Sequence, residues 1–377
     1  MYALVNCRIF DGQQLFDQHA VIIEGQGITA LLPTCELSQD IQQIDLAGMT
    51  LCPGFIDLQL NGCGGVMLND EFSHATLTHM HQTNLRSGTT SFLPTLITTN
   101  DEMMLQALEV MGNQPAHSQT LGLHLEGPYL SHEKHGIHST QLIRTLDKSA
   151  LDTLLAHADV ITKITLAPES TTPEQVAMLS DAGILVSLGH SNCSYQQASE
   201  FIGAGARFAT HLFNAMSSLS GRDPGLVGAV YDHQLACGII ADGLHVADAN
   251  IRVSHRLLGD KLCLVSDATA AAGADIDSFD FVGTTIFVEQ GRCVSKDGTL
   301  GGSSLTMIDA VKHCVEQVGL PLVDTLQMAS LNPAKAIGQD SRLGKIEAGY
   351  CANLTAFDSR YKVGLTISEG QIHRFNT

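Results

Sequence analysis

The chain has 377 residues, 44% apolar and 16% charged, the composition of a soluble globular protein long enough to bury a large core. Its formal charge of −19, without a block of like charges, argues against a nucleic-acid binder, which needs a clustered positive surface. No apolar run is long enough to span a bilayer, and MYALVNCRIF lacks the pattern of a secretory leader.

Ten cysteines are scattered from Cys7 to Cys351 without a CxxC pair. They read as reduced, buried thiols of a cytoplasmic protein, and they give no structural zinc site. The first fifty residues alternate and turn often, as in YALVNCRIF-DGQQ and HAVIIEGQGITALLP, which predicts short strands. The last forty, GKIEAGYCANLTAFD and YKVGLTISEGQIH, have the same texture. Neither end can close a core alone. We therefore expect residues 1–51 and 342–377 to form one small discontinuous β-sandwich domain around a domain spanning 52–341.

In the middle the pattern becomes strand, loop, helix, repeated. Eight strands are predicted: 52–60, 89–96, 119–126, 161–167, 184–190, 206–212, 236–242 and 261–267. Helix starts are signalled by Thr99 before Glu102, Thr172 before Pro173 and Gln175, and Ser194 before Gln197. Eight βα units suggest a closed (β/α)₈ barrel, a TIM-type α/β fold. The competing open doubly wound sheet would want a GxGxxG turn after its first strand, and NGCGG does not match.

Chemistry in such a barrel gathers where strands end. Strand one ends at Gln59 and Asn61, strand three at Glu126, strand five at His190, strand six at His211 and strand eight at Asp267. Two imidazoles and a carboxylate, with one position left open, are a known ligand set for catalytic zinc. A single histidine is more often a hydrogen-bonded core or surface residue, and His74, His79 and His81 are read that way. Beside an ion, Asp267 would be placed to shuttle a proton. Alternatively, in SDAT it caps the segment that follows.

HLEGP, LGHS at 188–191, THLFNAM at 210–216, ADGLH at 241–245 and SDA at 266–268 occur in order along the chain. With PGFIDLQLNGCGG and GKIEAGYCANLTAFD they resemble the N-acetylglucosamine-6-phosphate deacetylase family of the amidohydrolase superfamily. The resemblance covers essentially the whole chain. It implies a metal-dependent barrel with a small β-sandwich, hydrolysing the acetamide of a phosphorylated amino sugar to the free amine and acetate.

Carried over, the family's metal ligands fall on Glu126, His190 and His211, and its catalytic aspartate on Asp267. In HGIHS, His138 matches the residue that polarises the acetyl carbonyl. Asn214 and Ala215 match the phosphate cradle, with His245 and Arg222 as its cationic partners. In the family that arginine can reach the neighbouring subunit's site, which implies a homodimer. The turn Leu300-Gly301-Gly302-Ser303 resembles a loop lining the acetyl pocket.

Many superfamily members carry His-x-His at the end of strand one and bind two metals. Here the position reads Gln59-Leu60-Asn61, so we expect one divalent ion per subunit, zinc first and iron, cobalt or manganese as substitutes, with Gln59 left for a water or a weakly held second ion. The rival readings are a deacetylase of the galacto epimer, a cyclic-amide hydrolase, and a non-catalytic relative acting through assembly.

Overall fold

The structure, a computed structural model, describes residues 1–114 and 120–375. The chain divides into two compact units. One comprises Met1–Asp57, His81–Ser91 and Thr306–Thr377; the other comprises Leu58–Met80 and Phe92–Leu305. This division differs from the boundaries read off the sequence, because the helices Met307–His313, Leu322–Ala329 and Leu331–Ala336 group with the chain ends.

The chain ends build two sheets. Tyr2–Val5 pairs with His19–Glu24 and Gln42–Asp45, and Gly27–Pro33 pairs with His19–Glu24. In the second sheet Thr50–Pro53, from the N-terminal part, lies antiparallel to Leu354–Phe357, from the C-terminal part. Leu4, Val21 and Ile23 of the first sheet share one apolar core with Ile9, Leu51, Leu354 and Ile367 of the second. That shared core is what neither end could bury alone.

All eight predicted barrel strands are present, in one parallel sheet ordered as in the sequence. They are Phe55–Leu60, Thr89–Ile97, Leu123–Glu126, Ile161–Leu166, Leu185–Leu188, Phe208–Ala209, Ala236–Ile239 and Leu262–Leu264. Two differ from expectation at their starts. Segment 52–60 breaks at Gly54, its first part joining the terminal sheet; segment 119–126 begins at Gln119, which lies outside the described residues.

Strand eight returns to strand one. Asp267 donates its N–H to the Gln59 carbonyl at 3.1 Å, Asn61 donates to the Ala268 carbonyl at 2.9 Å, and Leu60 bridges Ala268. The sheet thus closes as a (β/α)₈ barrel whose strands, covered on both faces, read as continuous buried runs.

Thr172 with Gln175 and Ser194 with Gln197 form reciprocal capping boxes for the helices Pro173–Asp181 and Tyr195–Gly203. The helix Asp101–Gly112 is capped by Asn100, not Thr99: the Asn100 side chain accepts from the Met103 N–H, and Thr99 instead contacts the Met103 sulfur.

After strand eight the chain inserts a four-stranded antiparallel sheet, Ser278–Phe281, Thr284–Glu289, Arg292–Ser295 and Leu300–Ser303. Residues 300–303 are therefore a strand and not the expected turn. Among the described residues no helix is long and apolar enough to cross a membrane.

Candidate active site

Glu126 ends barrel strand three and is 2% exposed; the cis Gly127–Pro128 peptide follows it. His190, His211 and Asp267 each sit just past a strand with positive φ, 48°, 34° and 49°. Such left-handed backbone is unfavourable for a residue with a side chain, and three instances at strand ends mark a functional constraint. It turns each side chain away from the strand course. Just before His190 the chain passes close to its neighbours at Gly189, where a Cβ would meet Thr165 Cγ2 at 2.9 Å and Thr210 Cβ at 3.0 Å.

The result is a tight triangle. His190 Nε2 and His211 Nε2 lie 3.0 Å apart, and they are 3.3 and 3.1 Å from Glu126 Oε1. His190 Nδ1 meets the Lys134 carbonyl at 2.8 Å, so it carries hydrogen and its Nε2 presents a lone pair. A lone pair facing a second ring nitrogen and a buried carboxylate needs a proton or a cation between them, and, against burial, the charges of Glu126 and Asp267 accordingly raise His211 above its ordinary value. Zinc ligands of these types lie about 2.0–2.2 Å from the ion, so a tetrahedral set spaces its donors about 3.3 Å apart. The donor set fits a divalent ion. His138 also offers an atom within 4.8 Å of Glu126 and His190, but the trio with His211 is tighter.

Burial pushes the Glu126 carboxyl up, yet hydrogen bonds and charge from His190 and His211 outweigh it and hold it well below the usual carboxylate range. Asp267 is shifted the other way, raised by burial and by the Glu126 charge. Among the described residues its side chain caps no backbone N–H: Oδ1 accepts from Gln59 Nε2 at 3.0 Å and Asn61 Nδ2 at 2.8 Å. Gln59 Nε2 also reaches both Glu126 oxygens, at 3.1 and 3.0 Å. His138 Nδ1 meets Thr98 Oγ1 at 2.8 Å, and its ring is pushed toward the neutral form by burial and by His190.

Glu126, His138, His190, His211, Asp267 and Asn61 line a cavity of about 440 Å³, with Gln59 behind them outside its lining. Asn214, Ala215, His245 and Lys134 also line it; Ile97, Ile137, Phe281 and Leu300 supply apolar surface. His245 Nδ1 is 2.6 Å from Asp242 Oδ2, which leaves Nε2 as its available polar atom. Burial raises the Asp242 carboxyl, but its bonds from His245 and from the Leu244 and His245 N–H groups bring it below its ordinary value.

Leu300 and Gly302 line the cavity. A Cβ on Gly302, at φ +65°, would sit 2.4 Å from Thr269 Cγ2 and 2.9 Å from the Asp267 carbonyl. A Cβ on Gly301 would instead meet Ile286 and Ile137. Arg222 is exposed and is not part of this lining. Lys134 was not anticipated; HEK carries no spacing that announces it.

The amidohydrolase family profile matches residues 50–375, and that of the NagA composite domain matches residues 1–51. The chain is 48% identical to the N-acetylglucosamine-6-phosphate deacetylase of Haemophilus influenzae, over 98% of both proteins. It is 36% identical to the N-acetylgalactosamine-6-phosphate deacetylase of a Shewanella species, over 94% of this chain and 93% of that protein. Among solved structures it resembles the N-acetylglucosamine-6-phosphate deacetylase of Pasteurella multocida, with a TM-score of 0.97 at 51% identity, over 99% of this chain and all of that one. The chain belongs to the amidohydrolase family and, within it, to the N-acetylglucosamine-6-phosphate deacetylases.

Proposed function

We infer that this chain hydrolyses the acetamide of N-acetyl-D-glucosamine 6-phosphate, giving D-glucosamine 6-phosphate and acetate in amino-sugar breakdown. The observation that carries the reading is the convergence of two imidazoles and one carboxylate beside Asp267 in a cavity large enough for a sugar phosphate.

Glu126, His190 and His211 would hold one divalent ion, zinc in our reading, with iron, cobalt or manganese able to substitute. When bound, such an ion polarises a carbonyl and acidifies water at neutral pH. A second firmly held ion is disfavoured because Gln59 turns its NH₂ toward both carboxylates, and an NH₂ group has no lone pair to offer a metal.

Asp267 takes a proton from the attacking water as the C–O bond forms. It returns that proton to the nitrogen as the C–N bond breaks, because an amine leaves poorly unprotonated. His138, held through Nδ1 by Thr98, faces the acetyl oxygen and stabilises its developing charge. Asn214, the Ala215 backbone and His245 receive the phosphate. Arg222, outside its own cavity, completes that subsite from a second copy in a homodimer. Leu300 and its neighbours border the acetyl group.

The Shewanella relative favours a second reading, in which the galacto epimer is the substrate. Rates of amine release from the two epimers, each compared with its unphosphorylated sugar, separate them.

A further inference from the structure

We propose that Gln59 and Asn61 are positioning residues: they commit Oδ1 of Asp267 to accepting amide hydrogens, so that Oδ2 alone carries the catalytic proton. The inference rests on the hydrolase reading and adds an orientation device to it.

Both donors reach the same oxygen, at 3.0 Å from Gln59 Nε2 and 2.8 Å from Asn61 Nδ2. The orientation of each amide is set by its neighbours. Turned over, Gln59 would press its carbonyl against Glu126 and Asp267 together, and Asn61 would press its own against Asp267. The two hydrogens of the Gln59 NH₂ serve two carboxylates, one spread over both Glu126 oxygens and the other on Asp267.

An aspartate carboxyl left to itself turns easily about its last torsion and exchanges its two oxygens. Here the backbone of Asp267 is pinned on both sides, its N–H on the Gln59 carbonyl at 3.1 Å and its carbonyl on the Ser303 N–H at 2.9 Å. With Oδ1 pinned as well, rotation would break two hydrogen bonds in a buried setting, where unmade bonds are costly.

The proton taken from water must be returned to nitrogen by the same group. A carboxyl that keeps its proton on one fixed oxygen delivers it without reorienting. The end of strand one therefore supplies three holds on Asp267 itself: the Gln59 carbonyl, the Gln59 amide and the Asn61 amide. Side chains without hydrogens to give could not take this part.

The test uses the purified, metal-loaded enzyme and two substrates: N-acetylglucosamine 6-phosphate and its S-acetyl 2-thio analogue, whose thiolate departs without a proton. For Asn61→Leu we expect kcat on the amide to fall about 10- to 100-fold, the range seen when an outer-shell partner is removed. KM and metal content should stay near wild type. The loss on the thioester should be clearly smaller, and Asn61→Ser, whose hydroxyl can donate, should recover part of the amide rate.

An unchanged kcat, a loss confined to KM, or equal losses on both substrates would overturn the proposal. Should Asn61→Leu fail to fold, Asn61→Ala removes the donor without added bulk or charge and is read identically. Wild-type enzyme that releases no amine would sink the hydrolase reading itself; normal wild-type turnover with an unaffected variant would sink only this inference.

Discussion

His190 and His211 bring their Nε2 atoms to within 3.0 Å of each other although 21 residues separate them in the chain. Glu126 Oε1 completes the triangle from a third strand. Two ring nitrogens and a carboxylate oxygen this close need a proton or a cation among them, so the ion and the local geometry should depend on each other.

Replacing either ring tests that dependence. His190→Ala and His211→Ala should each lose the bound ion and reduce turnover at least about 10²-fold, while circular dichroism stays near wild type. Elemental analysis of wild-type protein should give one firmly held ion per chain. Two would mean that Gln59 does not block a second position.

Asp267→Asn keeps size and polarity but cannot take a proton. Its kcat should fall by about 10² to 10⁴, with the ion retained. A near-normal rate in a variant with full metal content would remove Asp267 from the mechanism.

Asp242 holds His245 through a 2.6 Å contact and two backbone N–H groups. Asp242→Asn should loosen the ring and raise KM for the phosphorylated sugar several-fold, with little change for the unphosphorylated one. Equal changes for both would mean that His245 does not face the phosphate.

Arg222 lies outside its own chain's cavity, which allows a mixing experiment. Arg222→Ala and Asp267→Asn chains, each impaired alone, should regain activity when dissociated and reassociated together, since a mixed dimer can assemble one complete site. No recovery from a preparation shown to contain mixed dimers would confine Arg222 to its own chain.

A pH effect on stability should come from the terminal unit. His81 is lowered from 6.5 to about 4, chiefly by burial and then by His373. Between those values the unfolded chain binds the proton and the folded one does not, so falling pH favours unfolding. His81→Gln should flatten the loss of stability between pH 6.5 and 4, by up to about 3 kcal/mol in denaturant titrations. An unchanged acid profile would count against the shift.

The barrel was legible because its strands are short apolar runs spaced by helical segments, and the polar stops on five of them include the candidate site: Glu126, His190, His211 and Asp267. The small β unit was legible from alternation at both ends. The antiparallel sheet Ser278–Ser303 was not anticipated, although TTIFVEQGRCVS alternates, because it lies where the βα rhythm calls for a helix.

Asn61 was visible as a strand end, but its contact with Asp267 spans 206 positions and has no local signature. Likewise the Gln59 amide reads as a lost metal ligand until the fold sets two carboxylates against it. Lys134 enters the site through its backbone carbonyl, which any residue could provide.

The most direct test is amine release from N-acetylglucosamine 6-phosphate by the purified chain, before and after removal and restoration of its metal. We expect rapid release of glucosamine 6-phosphate and acetate, slower reaction with the galacto epimer and the unphosphorylated sugar, loss on metal removal and return on restoration. No release from the phosphorylated sugar, or release indifferent to the metal, would contradict the account.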